Sequence, residues 1–364
     1  MITVFTPSFA DEANTNAQNL TVKEIVSRLP PDRFRVILLG HATPDPRISA
    51  RENTEILPIT QHGNALRWLT RVLLSKVDVY FFPRLGPLDA FFMFLRRSLK
   101  LPVALVTYIV MALNEIPVEP AMENSIRDGD LVFGNSRFVS QTIHERFGVS
   151  AGTIYDGVNR QFFHPPANRR PVGSKLTVLY AGSLQARKRV NIVIAEAAKR
   201  PDIEFRLAGK GEEENKCRAL VNELKCHNVT FLGHISQEGL ADEMRRADVF
   251  LFPSVLEGHP QVLGQAAATG LPAVAMNFYR PDFIVNGETG YLVESENEIS
   301  HRLGLLLSDI DLRSKMSAAA VKHAAHFDWG KVAKDWEMAF VEAVSKRRKK
   351  PHSQPTDTIE HRDG

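Results

Sequence analysis

Three short stretches bring together residue types that could do chemistry on a charged ligand. The longest is Phe252-Pro253-Ser254-Val255-Leu256-Glu257-Gly258-His259-Pro260-Gln261-Val262-Leu263-Gly264-Gln265-Ala266. It sets a carboxylate between an apolar run and a segment of helical period. A second stretch leaves the apolar run Leu176 to Ala181 through Gly182, Ser183 and Leu184 to Arg187, Lys188 and Arg189, just ahead of the helical run Val190 to Lys199. Glycine at a strand end lets a ligand approach the backbone, and cations before a helix start suit a diphosphate. The third is Leu207-Ala208-Gly209-Lys210-Gly211-Glu212, a Gly-x-Gly at another strand end. Each has a plainer reading: a basic triplet flanking a surface helix, a tight turn, and a carboxylate capping the next helix. Together they describe an anion cradle with an acid beside it.

The elements that must position these residues follow from the periodicity. Ile2 to Phe5, Arg35 to Leu39, Val77 to Phe82, Val103 to Thr107 and Leu131 to Gly134 read as buried strands separated by helix-period segments. The rhythm restarts at Leu176 to Ala181 and continues through Glu204 to Ala208, Val229 to Leu232, Val249 to Pro253, Ala273 to Ala275 and Gly290 to Val293. The pattern is α/β, two tandem Rossmann-like doubly wound domains whose strand ends face a shared cleft. The expected boundaries are 1–164 for an N-terminal Rossmann-like domain, 165–174 for a Pro-, Arg- and Gly-bearing linker, and 175–328 for a C-terminal one. A helix over 329–346 could brace either domain, and 347–364 reads as a basic, disordered tail.

Composition narrows the partners. The 364 residues carry a net charge of only +3, and the five cations Lys346 to Lys350 account for it; without them the balance is −2. A near-neutral body argues against nucleic acid, which needs clustered Lys and Arg. The two cysteines, Cys217 and Cys226, imply neither disulfide framework nor zinc site. With no basic-then-apolar leader and no apolar run near 18 residues, the expectation is a cytoplasmic protein, with peripheral contact at the inner membrane face as a candidate. Phe91-Phe92-Met93-Phe94-Leu95-Arg96-Arg97 and Leu66 to Lys76, with Trp68, are the stretches that could dip into an interface, though helices packed on a sheet explain both.

The Glu257 stretch resembles the donor-site signature of retaining glycosyltransferases of the GT-B fold, family 4 (glycosyl transferases group 1), in which Pro-Ser precedes Glu-Gly and a second acid follows eight positions on. The resemblance covers the second half in order: Tyr180-Ala181-Gly182 with Arg187-Lys188-Arg189-Val190, Ala208-Gly209-x-Gly211, Phe231-Leu232-Gly233, Ala247-Asp248 and Asn286-Gly287-x-x-Gly290. Tyr155-Asp156-Gly157-Val158-Asn159 is similar to the family's inter-domain passage. The resemblance implies transfer of a sugar from a nucleoside-diphosphate donor to a glycan, lipid-linked or small hydroxyl acceptor, with retention and without metal or other cofactor. It implies Arg187 and Lys188 as diphosphate ligands and Glu257 facing the donor sugar. It further implies a donor-binding set of Gly182, Ser183, Gly209, Gly211, Gly233, His234, Gly258, His259, Pro260, Gln261, Val262, Leu263 and Gln265, with backbone amides from Gly258 to Leu263 reaching sugar and phosphates. Fixed cations and a helix start would stabilise leaving-group charge as the glycosidic bond breaks.

The chain also departs from the pattern. Gln265 stands where the family's second acid grips the ribose, and loses the charge assistance of that bond. Ser183 replaces a common arginine, and Tyr108, Ile109, Val110 and Met111 stand where many members offer a histidine. The first turn, Pro7 to Asn19, has no glycine pair; Asp11, Glu12, Asn14 and Asn16 could bind acceptor hydroxyls or cap a helix. Asp128-Gly129-Asp130 matches a bare Asp-x-Asp but reads as a turn before a strand, so no metal site is expected. Two rival readings keep the fold: a non-catalytic sugar-nucleotide or polysaccharide-binding relative, and a UDP-sugar epimerase.

Overall fold

Runs such as Thr177–Ala181 and Val249–Phe252 are apolar without alternation, so both of their faces must be covered, as happens in parallel sheets sandwiched by helices. The computed structural model describes residues 1–12, 17–40, 42–58, 70, 75–81, 87–113, 117–167 and 175–349. Among these, two parallel sheets form. The first has seven strands in the order β3-β2-β1-β4-β5-β6-β7. These are β1 Ile2–Phe9, β2 Phe34–Gly40, β3 Thr54–Pro58, β4 Val79–Phe81, β5 Ala104–Ile109, β6 Leu131–Gly134 and β7 Gly152–Thr153. The second has six, ordered β10-β9-β8-β11-β12-β13: β8 Thr177–Ala181, β9 Glu204–Ala208, β10 Val229–Gly233, β11 Val249–Phe252, β12 Ala273–Met276 and β13 Gly290–Val293. This is the two-sheet α/β architecture expected from the sequence. Strands β3 and β7 were not expected. Both lie at sheet edges, where one-sided pairing lets short or polar sequences serve.

The chain divides into two compact units. One comprises Met1–Tyr108, Glu119–Val132 and the stretch from Trp336 onward; the other comprises Ile109–Val118 and Phe133–Asp335. The division differs from the expected split near residue 164, because residues 133–163 hydrogen-bond to the second unit's own loops: Arg137 N–H donates to Asp282 Oδ2 (3.0 Å), and Val158 N–H to Phe327 O (2.7 Å). The expected linker lies largely outside the described residues, as does the tail beyond residue 349.

In the first unit Trp336 is fully buried. Its ring lies 4.7 Å from Phe81 and 4.8 Å from Tyr108, centroid to centroid. The final helix runs from Trp329 to Lys349, longer than the 329–346 expected. In the second unit β8, β11 and β12 are buried along their whole length, against helices that contribute Ile192, Val193, Leu263, Ala266 and Leu303 among others. Losing an aromatic anchor of the Trp336 kind costs about 3–5 kcal/mol, so both cores can hold strand-end loops rigidly.

Candidate functional site

In the second sheet the strand order reverses between β8 and β11: β9 and β10 lie on one side, β12 and β13 on the other. Loops leaving the two central strands therefore diverge, and the crevice at their carboxyl ends is where open α/β sheets bind ligands. Two of the three chemically suggestive stretches leave from these strands. After β8 the chain makes a short 3₁₀ turn over Ala186–Lys188, which Arg189 ends in a left-handed conformation (φ 51°) before the helix Val190–Ala198. After β11, Pro253 and Ser254 are buried, and the chain reaches Glu257 three residues later.

The two loops meet through one oxygen. Glu257 Oε1 accepts hydrogen bonds from Arg187 Nη1 (2.8 Å), from Lys188 Nζ and from Ser254 Oγ (2.5 Å). Arg187 Nη1 also donates to Leu256 O (2.8 Å), and Val255 N–H donates to Arg187 O (3.1 Å). Lys188 is 7 % exposed, and its ammonium lies 5.0 Å from the centre of the Phe252 ring. Burial pulls the Lys188 ammonium below its ordinary range, while Glu257 pushes it back up. Opposite-signed groups at a strand-end crevice are what a dianionic ligand would engage, by exchanging the carboxylate for its own oxygens.

Glycine is required at two neighbouring points. At Gly209, after β9, φ is +137° and an added Cβ would stand 1.9 Å from Gly182 O, so the two turns touch backbone to backbone. At Gly258 a Cβ would stand 2.1 Å from Val110 O, where Met111 and Gly258 pair as an antiparallel bridge. Gly211 packs equally closely on Leu184. The segment that replaces the family's usual histidine therefore touches the Glu257 loop through its backbone. Tyr279 is fully buried, and its hydroxyl has no partner among the described residues. Burial and the charge of Glu257 hold that phenol well above its ordinary range.

The other candidates divide. Ser183 is half-buried, its hydroxyl donating to Gln185 Oε1 (3.1 Å) and its carbonyl accepting from Tyr180 Oη (2.9 Å). Gly233 O accepts from Gly209 N–H (2.7 Å), and His234 beside it is exposed. The helix Gln261–Ala268 starts after Pro260 with no side-chain cap, so Glu257 is not a helix cap. Gln261 and Val262 are half-buried at this helix start, and Gln265 one turn on carries a buried Oε1 with no partner among the described residues. Arg189 pairs with Glu296 rather than with Glu257.

The ring of His259, a residue expected to offer its backbone amide, is buried and stacked on Phe283 at 3.7 Å, with Tyr155 and Phe327 around it, and neither ring nitrogen has a partner among the described residues. Burial pulls its pKa down to about 3. Two expectations need correction. Leu263 is buried, and its amide closes a turn onto Pro260 O (2.9 Å) instead of pointing at a ligand. Asp11 is fully buried, its Oδ1 accepting from Ala42 N–H (2.9 Å) and its carbonyl from Lys23 Nζ (2.9 Å), so it closes a loop rather than meeting an acceptor. Glu12 is exposed, and Asn14 and Asn16 lie outside the described residues. Asp130 accepts from Leu105 N–H (2.9 Å) and Arg96, and Asp128 pairs with Arg97. No cluster of metal-ligating side chains occurs among the described residues. Ser254 and Tyr279 were missed: a serine after proline is the only trace of the first, and nothing in the local sequence marks the second.

Residues 165–323 match the family model described as glycosyl transferases group 1. An uncharacterized glycosyltransferase of Methanocaldococcus jannaschii is 24 % identical over 243 residues, 65 % of this chain and 67 % of that protein. A D-inositol 3-phosphate glycosyltransferase of Streptomyces scabiei is 28 % identical over 200 residues, which span 48 % of this chain and only 45 % of that one. Among solved structures, Anabaena HepE in complex with UDP superposes with a TM-score of 0.76 at 16 % identity, covering 94 % of this chain and all of HepE. At that identity the likeness shows the fold, which is GT-B.

Proposed function

We infer that this chain, whose residues 165–323 belong to the glycosyl transferases group 1 family, moves a sugar from a nucleoside diphosphate to a hydroxyl acceptor with retention and without a metal ion. The observation that carries the reading is the convergence of Arg187, Lys188 and Ser254 on one oxygen of Glu257 at the β8/β11 switch point. A donor diphosphate entering there takes over the two cations, and Glu257 is left to face the sugar. As the anomeric carbon–oxygen bond breaks, charge grows on the departing phosphate beside Arg187 and Lys188, and their attraction strengthens toward the transition state. The acceptor hydroxyl attacks from the face the diphosphate leaves. Its proton passes to the departing phosphate oxygen as the new carbon–oxygen bond forms. Retention rests on the family resemblance.

Because HepE was solved with UDP, UDP-sugars are the first donors to try, followed by GDP- and ADP-sugars. Transfer assays in the presence of a chelator, with the new linkage read by proton NMR, test the reading. A product with the donor's anomeric configuration supports it; an inverted product overturns retention, and dependence on added divalent metal overturns metal independence. Conversion of the donor alone, with no acceptor present, would point to the epimerase reading instead.

A further inference from the structure

An enclosed phenol usually finds a hydrogen-bond partner, because an unpaired O–H bears the whole cost of its lost hydration. Tyr279 is 1 % exposed, and its hydroxyl has no partner among the described residues. It stands at the same sheet edge as Glu257. Strands β11 and β12 are neighbours, with Phe252 opposite Ala275; Glu257 follows the end of the first by five residues and Tyr279 the end of the second by three. The turn that carries Tyr279 is closed. Asn277 N–H donates to Val293 O (2.9 Å), Arg280 N–H donates to Asn277 O (3.0 Å), and Arg280 takes a left-handed φ of 42°.

Glu257 draws all its side-chain hydrogen bonds onto one oxygen. Arg187 Nη1, Lys188 Nζ and Ser254 Oγ all donate to Oε1. A diphosphate that takes over Arg187 and Lys188 removes two of these three donors, and a half-enclosed carboxylate left short of donors is costly. The backbone cannot follow the ligand. Val255 N–H and Leu256 O are bonded to Arg187, and Gly258 is bridged to Met111 with no room for a Cβ beside Val110 O. The response open to Glu257 is therefore rotation of its side chain, with the fully buried Ser254 still beside it.

We propose that Tyr279 is a positioning residue: when a nucleoside diphosphate claims Arg187 and Lys188, the Glu257 carboxylate turns to accept a hydrogen bond from the Tyr279 hydroxyl, which fixes it against the donor sugar. The inference rests on the diphosphate reading of the site. Burial and the charge of Glu257 keep the phenol protonated, so it meets the carboxylate as a donor. Without ligand the hydroxyl is idle; with ligand it carries a charge-assisted bond.

The test is calorimetric titration of wild type, Tyr279→Phe, Glu257→Gln and the double variant with UDP, GDP and ADP in chelator, together with thermal unfolding of each protein alone. Without ligand, Tyr279→Phe unfolds at no lower a temperature than wild type, because the hydroxyl it lacks had no partner. For the nucleotide that the wild type binds, Tyr279→Phe binds about tenfold more weakly, having lost a hydrogen bond to a charged group. In the Glu257→Gln background the same change costs only about threefold, since an amide acceptor lacks charge assistance. Equal affinity of wild type and Tyr279→Phe overturns the proposal and leaves the diphosphate reading standing. A full tenfold loss in both backgrounds also overturns it, because the hydroxyl then serves the ligand and not Glu257. A lower unfolding temperature for ligand-free Tyr279→Phe overturns it in favour of a structural role, and failure of the wild type to bind any of the three nucleotides overturns both readings.

Discussion

Acid should unfold the second unit through His259, and substitution by phenylalanine should remove that sensitivity. The ring is fully enclosed by Phe283, Tyr155 and Phe327, and burial lowers its pKa from 6.5 to about 3. In the unfolded chain the imidazole takes up a proton below about pH 6.5, while in the folded chain it stays neutral until about pH 3. Between these limits the unfolded state binds more protons, so stability falls as the pH falls. At pH 5 the difference is one and a half units, or about 2 kcal/mol. For a unit of this size that is about 4–8 °C in Tm. His259→Phe keeps the stacked geometry and removes the titration. Thermal unfolding at pH 7 and pH 5 should therefore show a loss for the wild type larger by about 2 kcal/mol than for the variant, the carboxylate contributions being common to both. Equal losses would refute the burial argument.

Other consequences follow from the same loops. Glu257→Gln frees Arg187 and Lys188 from competition while removing the acid from the sugar, so nucleoside diphosphate should bind at least as tightly as to wild type while kcat falls by about a hundredfold or more; unchanged kcat would contradict the assignment. Gly209→Ala forces a Cβ to within 1.9 Å of Gly182 O at a φ of +137°, and urea unfolding should show a loss of about 3 kcal/mol; an unmoved midpoint would show that the two turns can part freely. Gln265→Glu restores charge assistance at an oxygen that is buried without a partner. Calorimetry should show tighter nucleotide binding, by up to about tenfold, alongside a lower Tm without ligand.

The sheets were legible because the central parallel strands, buried on both faces, are continuous apolar runs: Thr177–Ala181, Val249–Phe252 and Ala273–Met276 lie within a residue of the bounds expected from the sequence. β3 and β7 were not, since Thr54–Pro58 and Gly152–Thr153 are edge pieces without such a run. The Glu257 loop and the Arg187-Lys188 pair were singled out by residue type at fixed spacing, and the structure brings the two together. Two things could not be read. One is side-chain direction: His259 sits between two candidate ligand residues but its ring turns into an aromatic cluster. The other is long-range partnership, as with Val110 O against Gly258, or Asp11 held by Ala42 and Lys23.

The central claim is that Arg187 and Lys188, now paired with Glu257, are the diphosphate ligands. Calorimetric titration of wild type and Lys188→Ala with UDP, GDP and ADP in chelator tests it most directly. The account predicts that one of the three binds the wild type and that its affinity falls by about tenfold or more in Lys188→Ala, with the loss of a charge-assisted bond. Equal affinity in a folded Lys188→Ala, or no binding by any of the three to the wild type, would contradict it.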